Sequence, residues 1–202
     1  MHNTMKSTTG SSSGAGRPRD RRIDDAVLAA TRELLVSEGY SGLSLTAVAT
    51  AAGTSTPAIY RRWPTKAHLV HEAAFPATEP VDLAFSGDLE ADVRALVMGA
   101  VALFIDPVVR AALPGLIADL GQHPELHAEL MSRLWGSHVE GIQEILDAAA
   151  ARGLARPGLS ARHLLSLVGG SALLSVVAPS GDGLDDAWIE AIAELVVKGL
   201  VA

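Results

Sequence analysis

The chain has 202 residues, of which 49% are hydrophobic, and its formal net charge is -7. It contains no cysteine, which excludes a disulfide framework, a thiolate metal site and a cysteine nucleophile. The longest largely apolar run, residues 164–178, is shorter than the ~20 residues that span a bilayer, and the N-terminus lacks the apolar core of a signal peptide. We therefore expect a cytoplasmic protein.

Charge is distributed unevenly along the chain. Residues 1–75 contain nine Lys and Arg against six Asp and Glu, a net charge of +3, whereas residues 76–202 contain seven against seventeen, a net charge of -10. A basic first third followed by an acidic remainder indicates that the first third binds a polyanion. Chance scatter of charged residues is the alternative interpretation.

The first sixteen residues, 1–16, are rich in Ser, Thr and Gly and have no apolar periodicity, which predicts a disordered tail. An arginine-rich segment follows directly. Arg17 and Arg19 in this segment are candidates for an arm that enters a DNA minor groove. A merely solubilising tail is the alternative.

The rest of the chain is predicted to be helical, because apolar residues recur at intervals of three and four and no strand alternation is present. Ser, Thr or Asp stands at most of the predicted helix starts, and Ser44 and Thr65 are predicted to cap the second and fourth helices. Pro114-Gly115 is expected to kink or break the sixth helix. The nine predicted helices cover residues 23–39, 45–52, 55–61, 66–74, 88–105, a segment from 107, 124–152, 160–179 and a segment from 185. We therefore predict an all-α fold.

The second and third predicted helices are short and are joined by a tight turn at Gly53, which is typical of a helix-turn-helix. Val48 and Ala49 would pack the first of these helices, and Ile59 would anchor the second. The outer face of the second helix then carries short polar and methyl-bearing side chains, which suit base edges in a major groove. An ordinary helical hairpin with a polar outer face is the alternative.

Residues between 23 and 69 agree with one known pattern at fixed spacing, namely Ile23, Ala26, Gly39-Tyr40, Val48-Ala49-Thr50-Ala51-Ala52-Gly53, Thr54-Ser55, Ile59-Tyr60, Trp63, Lys66 and Leu69. With these residues the stretch resembles the DNA-binding domain of TetR-family transcriptional regulators. Thr54, Pro57 and Trp63 replace the usual Val, Gly and Phe of that family. The resemblance implies a helix-turn-helix domain over residues 17–65, with its recognition helix at about 55–61, and an effector-binding and dimerisation domain over 66–202.

The resemblance also implies which residues meet DNA. Lys66 resembles a lysine that binds a phosphate, and such a phosphate would offset the unfavourable position of a cation at a helix N-terminus. Tyr60 resembles a tyrosine whose hydroxyl meets the DNA backbone, and Trp63 is expected to be a hydrophobic anchor. Arg61 could equally be a solvated surface charge. The implied DNA-binding set is Ser44, Thr46, Ser55, Thr56, Pro57, Ala58, Tyr60, Arg61 and Lys66, together with Arg17 and Arg19.

Two apolar stripes in the last two helices suit an isologous dimer interface, and the resemblance favours a four-helix-bundle homodimer. The predicted interface residues are Leu164, Leu165, Val168, Ala172, Leu173, Val176, Trp188, Ile192, Leu195 and Val196. A dimer would place two recognition helices about 34 Å or more apart on a palindromic DNA operator. The alternative is that both helices close the core of a monomer.

In the family, helices in the middle of the chain enclose a ligand pocket. Candidate pocket residues here are Leu96, Ala100, Phe104, Leu116, Leu120, Trp135, His138 and Ile142. The scarcity of aromatic residues among aliphatic ones suggests a small, largely apolar effector. Ordinary core packing is the alternative for each of these residues.

Other chemistries find little support in the sequence. His123 and His127 are four residues apart, but Pro124 starts the helix between them and no third ligand is evident, so we expect neither a metal nor a cofactor. No Walker loop, GxSxG or dinucleotide-binding glycine motif is present, so we do not expect an enzyme. We predict a homodimeric, ligand-responsive transcriptional repressor. The alternative is a helical ligand-binding module or small enzyme whose helix-turn-helix no longer binds DNA.

Overall fold

A computed structural model describes residues 21–76, 85–120, 124–178 and 183–201 of the chain. Within these ranges the chain forms nine helices and no strand, which confirms the predicted all-α fold. The predicted tail at residues 1–16, together with Arg17 and Arg19, lies outside the described residues.

The helix boundaries follow the predicted ones closely. The helices are α1 (Arg21–Gly42), α2 (Leu45–Ala51), α3 (Thr56–Tyr60), α4 (Lys66–Ala74), α5 (Leu89–Ile105), α6 (Pro107–Leu120), α7 (Pro124–Ala151), α8 (Ala161–Val177) and α9 (Asp186–Leu200). The predicted stop at Gly39 is present as an interruption of α1, although helical residues follow it as far as Gly42. Gly39 has φ 69° and ψ 176°, so the helix is interrupted there and resumes for its last residues.

Polar side chains fix several of the helix starts. A backbone N–H in the first turn donates a hydrogen bond to the side chain of each of the capping residues Ser44, Thr65, Asp88, Ser160 and Asp185. Such a cap satisfies a donor that has no partner within the helix and stabilises the helix by about 1 kcal/mol. The predicted start signals are therefore the groups that set these helix boundaries.

One hydrophobic core joins α1, α2, α3 and α4 with α6. Its most deeply buried side chains include at least one from each helix, among them Leu35, Val48, Ile59, Leu69, Val109 and Ala112. Because α4 and α6 share this core with the first three helices, the predicted domain boundary after residue 65 does not coincide with a gap in packing.

A second hydrophobic core joins α5, α7, α8 and α9. Its most deeply buried side chains are Val97, Leu146, Ala149, Ala161 and Val168. Helix α5 packs against both α8 and α9. One face of each of the last two helices is therefore occupied within the chain itself.

A kink or a break was predicted at Pro114-Gly115, and because α6 runs unbroken through Pro114 the predicted break is wrong. Pro114 lies on the exposed side of α6, whereas Ala112, Leu113 and Leu116 around it are buried. These buried contacts on both sides of the proline hold α6 in a helical path although the proline lacks an N–H donor.

A sharp bend separates α5 from α6. Asp106 lies between the two helices, and its carboxylate accepts hydrogen bonds from the N–H groups of Val108, at 2.8 Å, and Val109, at 3.0 Å. The helix axes are bent by 78°. Among the described residues no single helix is long and apolar enough to cross a membrane, and only this bent pair taken together reaches that length and composition.

Candidate nucleic-acid interface

Helices α2 and α3 form the predicted helix-turn-helix, and Gly53 makes the turn between them. Gly53 has φ 63°, a left-handed conformation that side-chain-bearing residues rarely adopt. The N–H of Thr54 donates to the carbonyl of Ala49 at 2.9 Å, which closes the turn. Val48 and Ala49 of α2 and Ile59 of α3 are buried, as predicted.

The outer side of α3 presents a small, mixed surface to solvent. Ser55, Pro57, Tyr60 and Arg61 are exposed and Thr56 is partly exposed. Ser55 is the N-cap residue of α3, yet its side chain makes no capping hydrogen bond. Pro57 lies in the first turn, where a helix has no use for a backbone N–H donor. The polar groups on this surface are therefore not used to cap α3.

Ala58 does not belong to this surface. Its side chain is only 9% exposed and lies on the buried side of α3, next to Ile59. A helix of five residues has to bury consecutive positions to attach to the core. Residue 58 therefore faces the core and is not part of the outer face. The prediction that Ala58 contacts DNA bases is therefore corrected.

The start of α2 carries two of the predicted contact residues. The hydroxyl oxygen of Ser44 accepts a hydrogen bond from the N–H of Ala47 at 3.1 Å and thereby caps α2. A hydroxyl that accepts in this way keeps its own O–H as a donor. Thr46 is exposed in the first turn, and its carbonyl accepts from the hydroxyl of Thr50 at 3.0 Å. Both predicted contact residues therefore lie at the protein surface.

Trp63 anchors the chain after α3, as predicted. Its side chain is buried in the first core, and its indole N–H donates to a carboxylate oxygen of Glu72 in α4 at 2.8 Å. The neighbouring Arg62 forms an ion pair with Asp24 of α1. Arg62 therefore links α3 to α1, whereas Arg61 extends the exposed basic surface.

Lys66 is the first residue of α4, and Thr65 caps that helix. The ammonium of Lys66 lies 4.5 Å from the centre of the Tyr40 ring, which is a cation–π contact. Burial lowers the pKa of Lys66, and the negative charge of Asp119 acts in the opposite direction. The sequence interpretation, in which a bound phosphate offsets the unfavourable helix dipole, thus missed a second partner for Lys66 that the chain supplies itself.

Tyr40 lies at the end of α1, directly after the interruption at Gly39, and contacts α6. Its hydroxyl donates a hydrogen bond to Asp119, and burial together with Asp119 raises the pKa of Tyr40. The ring lies so close to Gly115 that a β-carbon there would come within 1.9 Å of its Cδ1 atom. Sequence reasoning missed this contact; the available signal was the spacing of Gly115 and Asp119, which places both on one side of a helix.

The predicted dimer residues divide between the core of the chain and its surface. Four of them are buried within the chain's own helices, namely Leu164, Val168, Ala172 and Val196. Their side chains are already covered by this chain, so they are removed from the predicted interface. Five others are partly buried, namely Leu165, Leu173, Val176, Trp188 and Ile192.

Three leucines dominate the exposed apolar surface of α8 and α9. Leu195, which was predicted to lie in the interface, is 67% exposed. Leu167 and Leu174 of α8 are 60% and 64% exposed, and sequence reasoning missed both. Their interval of seven residues, two helical turns, would have identified a second face on α8.

The predicted pocket residues do not form one cluster. Phe104 and Leu116 pack with the first core, whereas Leu96, Ala100 and Ile142 pack with the second. The remaining candidates are His138, which is partly buried, and Leu120 and Trp135, whose side chains lie outside the described residues. Helix α5 contributes to both groups, because Leu96 and Ala100 face one core and Phe104 the other.

A metal site was not predicted, and no group of three metal-ligating side chains occurs among the residues that the structure describes. His123 lies outside the described residues, and the side chain of His127 does as well.

Comparison with known families gives matches for both parts of the chain. The family model of bacterial regulatory proteins of the tetR family matches residues 27–73. A second model, described as a tetracyclin repressor-like C-terminal domain, matches residues 84–196. The first match contains α2, α3 and all of α4 except its last residue, and the second extends from the segment before α5 into α9.

Individual proteins match over most of the chain. A DNA-binding transcriptional repressor TetR of Mycobacteroides abscessus is 29% identical over 178 residues, which cover 87% of this chain and 92% of that protein. The HTH-type transcriptional regulator Rv1556 of Mycobacterium tuberculosis is 27% identical over 184 residues, or 91% and 88% of the two chains. The crystal structure of NalD, the secondary repressor of the MexAB-OprM multidrug efflux pump in Pseudomonas aeruginosa, shares the fold with a TM-score of 0.62 at 22% identity, covering 90% of this chain and 98% of that one.

Proposed function

Because the chain belongs to the TetR family of bacterial transcriptional regulators, and is thus a DNA-binding regulator rather than an enzyme, we propose that it acts as a homodimeric repressor. The dimer binds a palindromic operator and is released from it by a small, largely apolar effector. The observation that carries this proposal is the outer side of α3, which is held to the core by Ala58 and Ile59 and exposes Ser55, Pro57 and Tyr60.

The exposed side of α3 suits a DNA major groove. Pro57 and the methyl group of Thr56 supply apolar contacts of the kind that thymine methyl groups accept, and Ser55 supplies a hydroxyl for a base edge. Tyr60, which is 52% exposed, and Arg61 lie at the end of α3, where they reach the phosphate backbone. Lys66 adds a cation at the start of α4, and Ser44 and Thr46 add hydroxyl groups at the start of α2.

The exposed leucines of α8 and α9 support a homodimer. Leu167, Leu174 and Leu195 each leave more than half of their surface in water, and Leu167 and Leu174 lie two turns apart on one side of α8. Apolar residues grouped on one exposed face support a contact surface, whereas single exposed ones do not. A two-fold dimer would bury the same patch of both protomers. It would also present two copies of α3 to the two halves of a palindrome, about 34 Å apart or a multiple of that distance.

The proposed effector site lies along α5, which contributes to both cores. Leu96 and Ala100 pack with α7 to α9, and Phe104 packs with the core that holds the helix-turn-helix. A ligand inserted beside α5 would therefore meet aliphatic side chains with one aromatic ring, which suits an apolar molecule. Helix α6 follows α5 directly and packs on α1 and α4. A displacement of α5 by a ligand would therefore move α6 and, through it, the DNA-binding helices.

The proposal is tested by incubating the full chain with fragments of the genome that encodes it and sequencing the fragments that it retains. We expect enrichment of an inverted repeat upstream of a small number of genes. The variant with Lys66→Ala and Tyr60→Phe should lose the enrichment, while Lys198→Ala, which removes an exposed cation from α9, should keep it. Absence of any enriched sequence would favour the alternative, a helical ligand-binding module that no longer binds DNA.

A further inference from the structure

Side chains from three helices meet at Tyr40. The residue lies at the end of α1, its hydroxyl donates to Asp119 of α6, and its ring lies against the backbone of Gly115. The other contact of the ring is with the ammonium of Lys66, the first residue of α4. The ring of Tyr40 thus stands between a helix of the proposed effector-responsive part and the proposed phosphate-binding lysine.

The position of the Tyr40 ring is defined by α6 at two points. Gly115 and Asp119 are four residues apart and lie on the same side of α6, one turn from each other. At Gly115 any β-carbon would overlap the ring, with 1.9 Å to Cδ1 and 2.1 Å to Cγ. At Asp119 the hydroxyl is held by a hydrogen bond to a carboxylate, which is stronger than one between neutral groups. The ring therefore follows α6 when that helix moves.

The ring in turn restricts Lys66. A lysine side chain is long and flexible, and a phosphate that binds its ammonium has to order the whole side chain. The cation–π contact with Tyr40 orders the side chain before DNA arrives. Because an ammonium carries three N–H donors and the ring face engages it from one side, donors remain for a phosphate oxygen.

We infer that Tyr40 is a positioning residue for DNA binding, which is held on α6 by Gly115 and Asp119 and fixes Lys66 where it meets a phosphate. The register of α6 against α1 thereby sets the affinity for DNA. This inference rests on the proposed DNA contact of Lys66. It assigns to Gly115 a packing function that no other residue type can perform at this position.

The test is a double-mutant cycle on DNA affinity. Tyr40→Leu and Gly115→Ala are each made in the unsubstituted chain and in the Lys66→Ala chain, and dissociation constants for the operator are measured at several salt concentrations. In the unsubstituted chain we expect Tyr40→Leu to weaken binding about three- to thirtyfold, the range of a cation–π contact, and to lower the salt dependence as Lys66→Ala does. In the Lys66→Ala chain neither substitution should weaken binding further.

Two further variants separate positioning from a general loss of folding. Gly99→Ala changes a glycine of α5 where an added β-carbon meets nothing within 4 Å, and it should leave DNA affinity unchanged. Tyr40→Phe keeps the ring between Gly115 and Lys66 and should restore most of the affinity that Tyr40→Leu loses. If Gly115→Ala proves too unstable for binding measurements, the comparison of Tyr40→Leu with Tyr40→Phe carries the test.

The two possible failures can be told apart. Equal losses from Tyr40→Leu with and without Lys66, or a salt dependence that Tyr40→Leu leaves unchanged, would overturn the inference while the proposed function stands. Failure of the unsubstituted protein to bind any operator would overturn the proposed function, and the inference with it.

Discussion

The indole N–H of Trp63 donates a 2.8 Å hydrogen bond to Glu72, and this bond joins the segment after α3 to the last turn of α4. The indole is buried in the same core as Ile59 of α3 and Leu69 of α4. Together with Ile59 and the ion pair that Arg62 forms with α1, Trp63 therefore holds the orientation of α3, because its side chain both fills the core and donates to a carboxylate. A phenylalanine, the usual residue of the family here, would fill much of the space without making the bond.

Replacing Trp63 by Phe is expected to lower the free energy of unfolding by about 1.5–3 kcal/mol, the range for a hydrogen bond to a charged group. Urea unfolding followed by circular dichroism measures this change. Tyr60→Phe serves as the control, because the exposed Tyr60 ring should give a change within about 0.5 kcal/mol. Equal stabilities of the two variants would contradict the assigned role of Trp63.

Ser44 and Ser55 precede the two helices of the helix-turn-helix, but only Ser44 caps its helix through its side chain. We expect Ser44→Ala to destabilise the protein by about 0.5–2 kcal/mol, and Ser55→Ala by no more than about 0.5 kcal/mol. Ser55→Ala should instead weaken operator binding, since its hydroxyl is proposed to face DNA. Thermal unfolding and DNA titrations of the two variants check both statements, and a reversed order of stabilities would contradict them.

Leu195→Glu is expected to dissociate the proposed dimer. An unpaired charge buried in an interface costs about 3–5 kcal/mol, so the dimer dissociation constant should rise by at least about 100-fold. Sedimentation equilibrium measures the change, and Val36→Glu, at an exposed apolar position of α1, provides a control of the same chemistry. A Leu195→Glu protein that remains dimeric would remove α9 from the interface.

The raised pKa of Tyr40 predicts a pH dependence of stability. A group whose pKa is higher in the folded chain stabilises the fold below its unfolded value, about 10 for tyrosine, and loses that contribution as the pH rises above it. Between pH 10 and 11 the free energy of unfolding should fall more steeply for the unsubstituted chain than for Tyr40→Phe, by up to about 1.4 kcal/mol per pH unit. Parallel slopes in urea unfolding would contradict the burial of the Tyr40 hydroxyl.

Local signals in the sequence were sufficient for the helices and for the turn of the helix-turn-helix. Ser44 and Thr65 were predicted as caps and accept the expected hydrogen bonds, and Gly53 was predicted as the turn and has a positive φ. Local signals failed in α3, because a helix of five residues is too short to show an apolar periodicity. Ala58 in the five-residue α3 was assigned to the outer face, although the core requires it on the inner one.

Contacts between distant residues could not be predicted from the sequence. Tyr40 and Gly115 meet across the chain, and the Pro114-Gly115 pair gave only a helix-breaking signal, which the buried neighbours in α6 override. The stripes of α8 raised a similar difficulty. The sequence does not show whether an apolar residue is covered by its own chain or by a partner. Val168 was therefore assigned to the interface, although it packs in the core with α5, and the exposed Leu167 was missed.

The salt dependence of binding to the protein's own upstream DNA tests the central claim most directly. Fluorescence anisotropy titrations at several salt concentrations should give an affinity that falls steeply with salt, because bound phosphates release counterions. Lys66→Ala should reduce the log–log slope by about 2, one phosphate per protomer of the dimer, whereas Tyr60→Phe and Lys198→Ala should leave the slope unchanged. Binding that is absent or independent of salt, or a slope that Lys66→Ala does not change, would contradict a DNA-binding dimer that holds phosphates through Lys66.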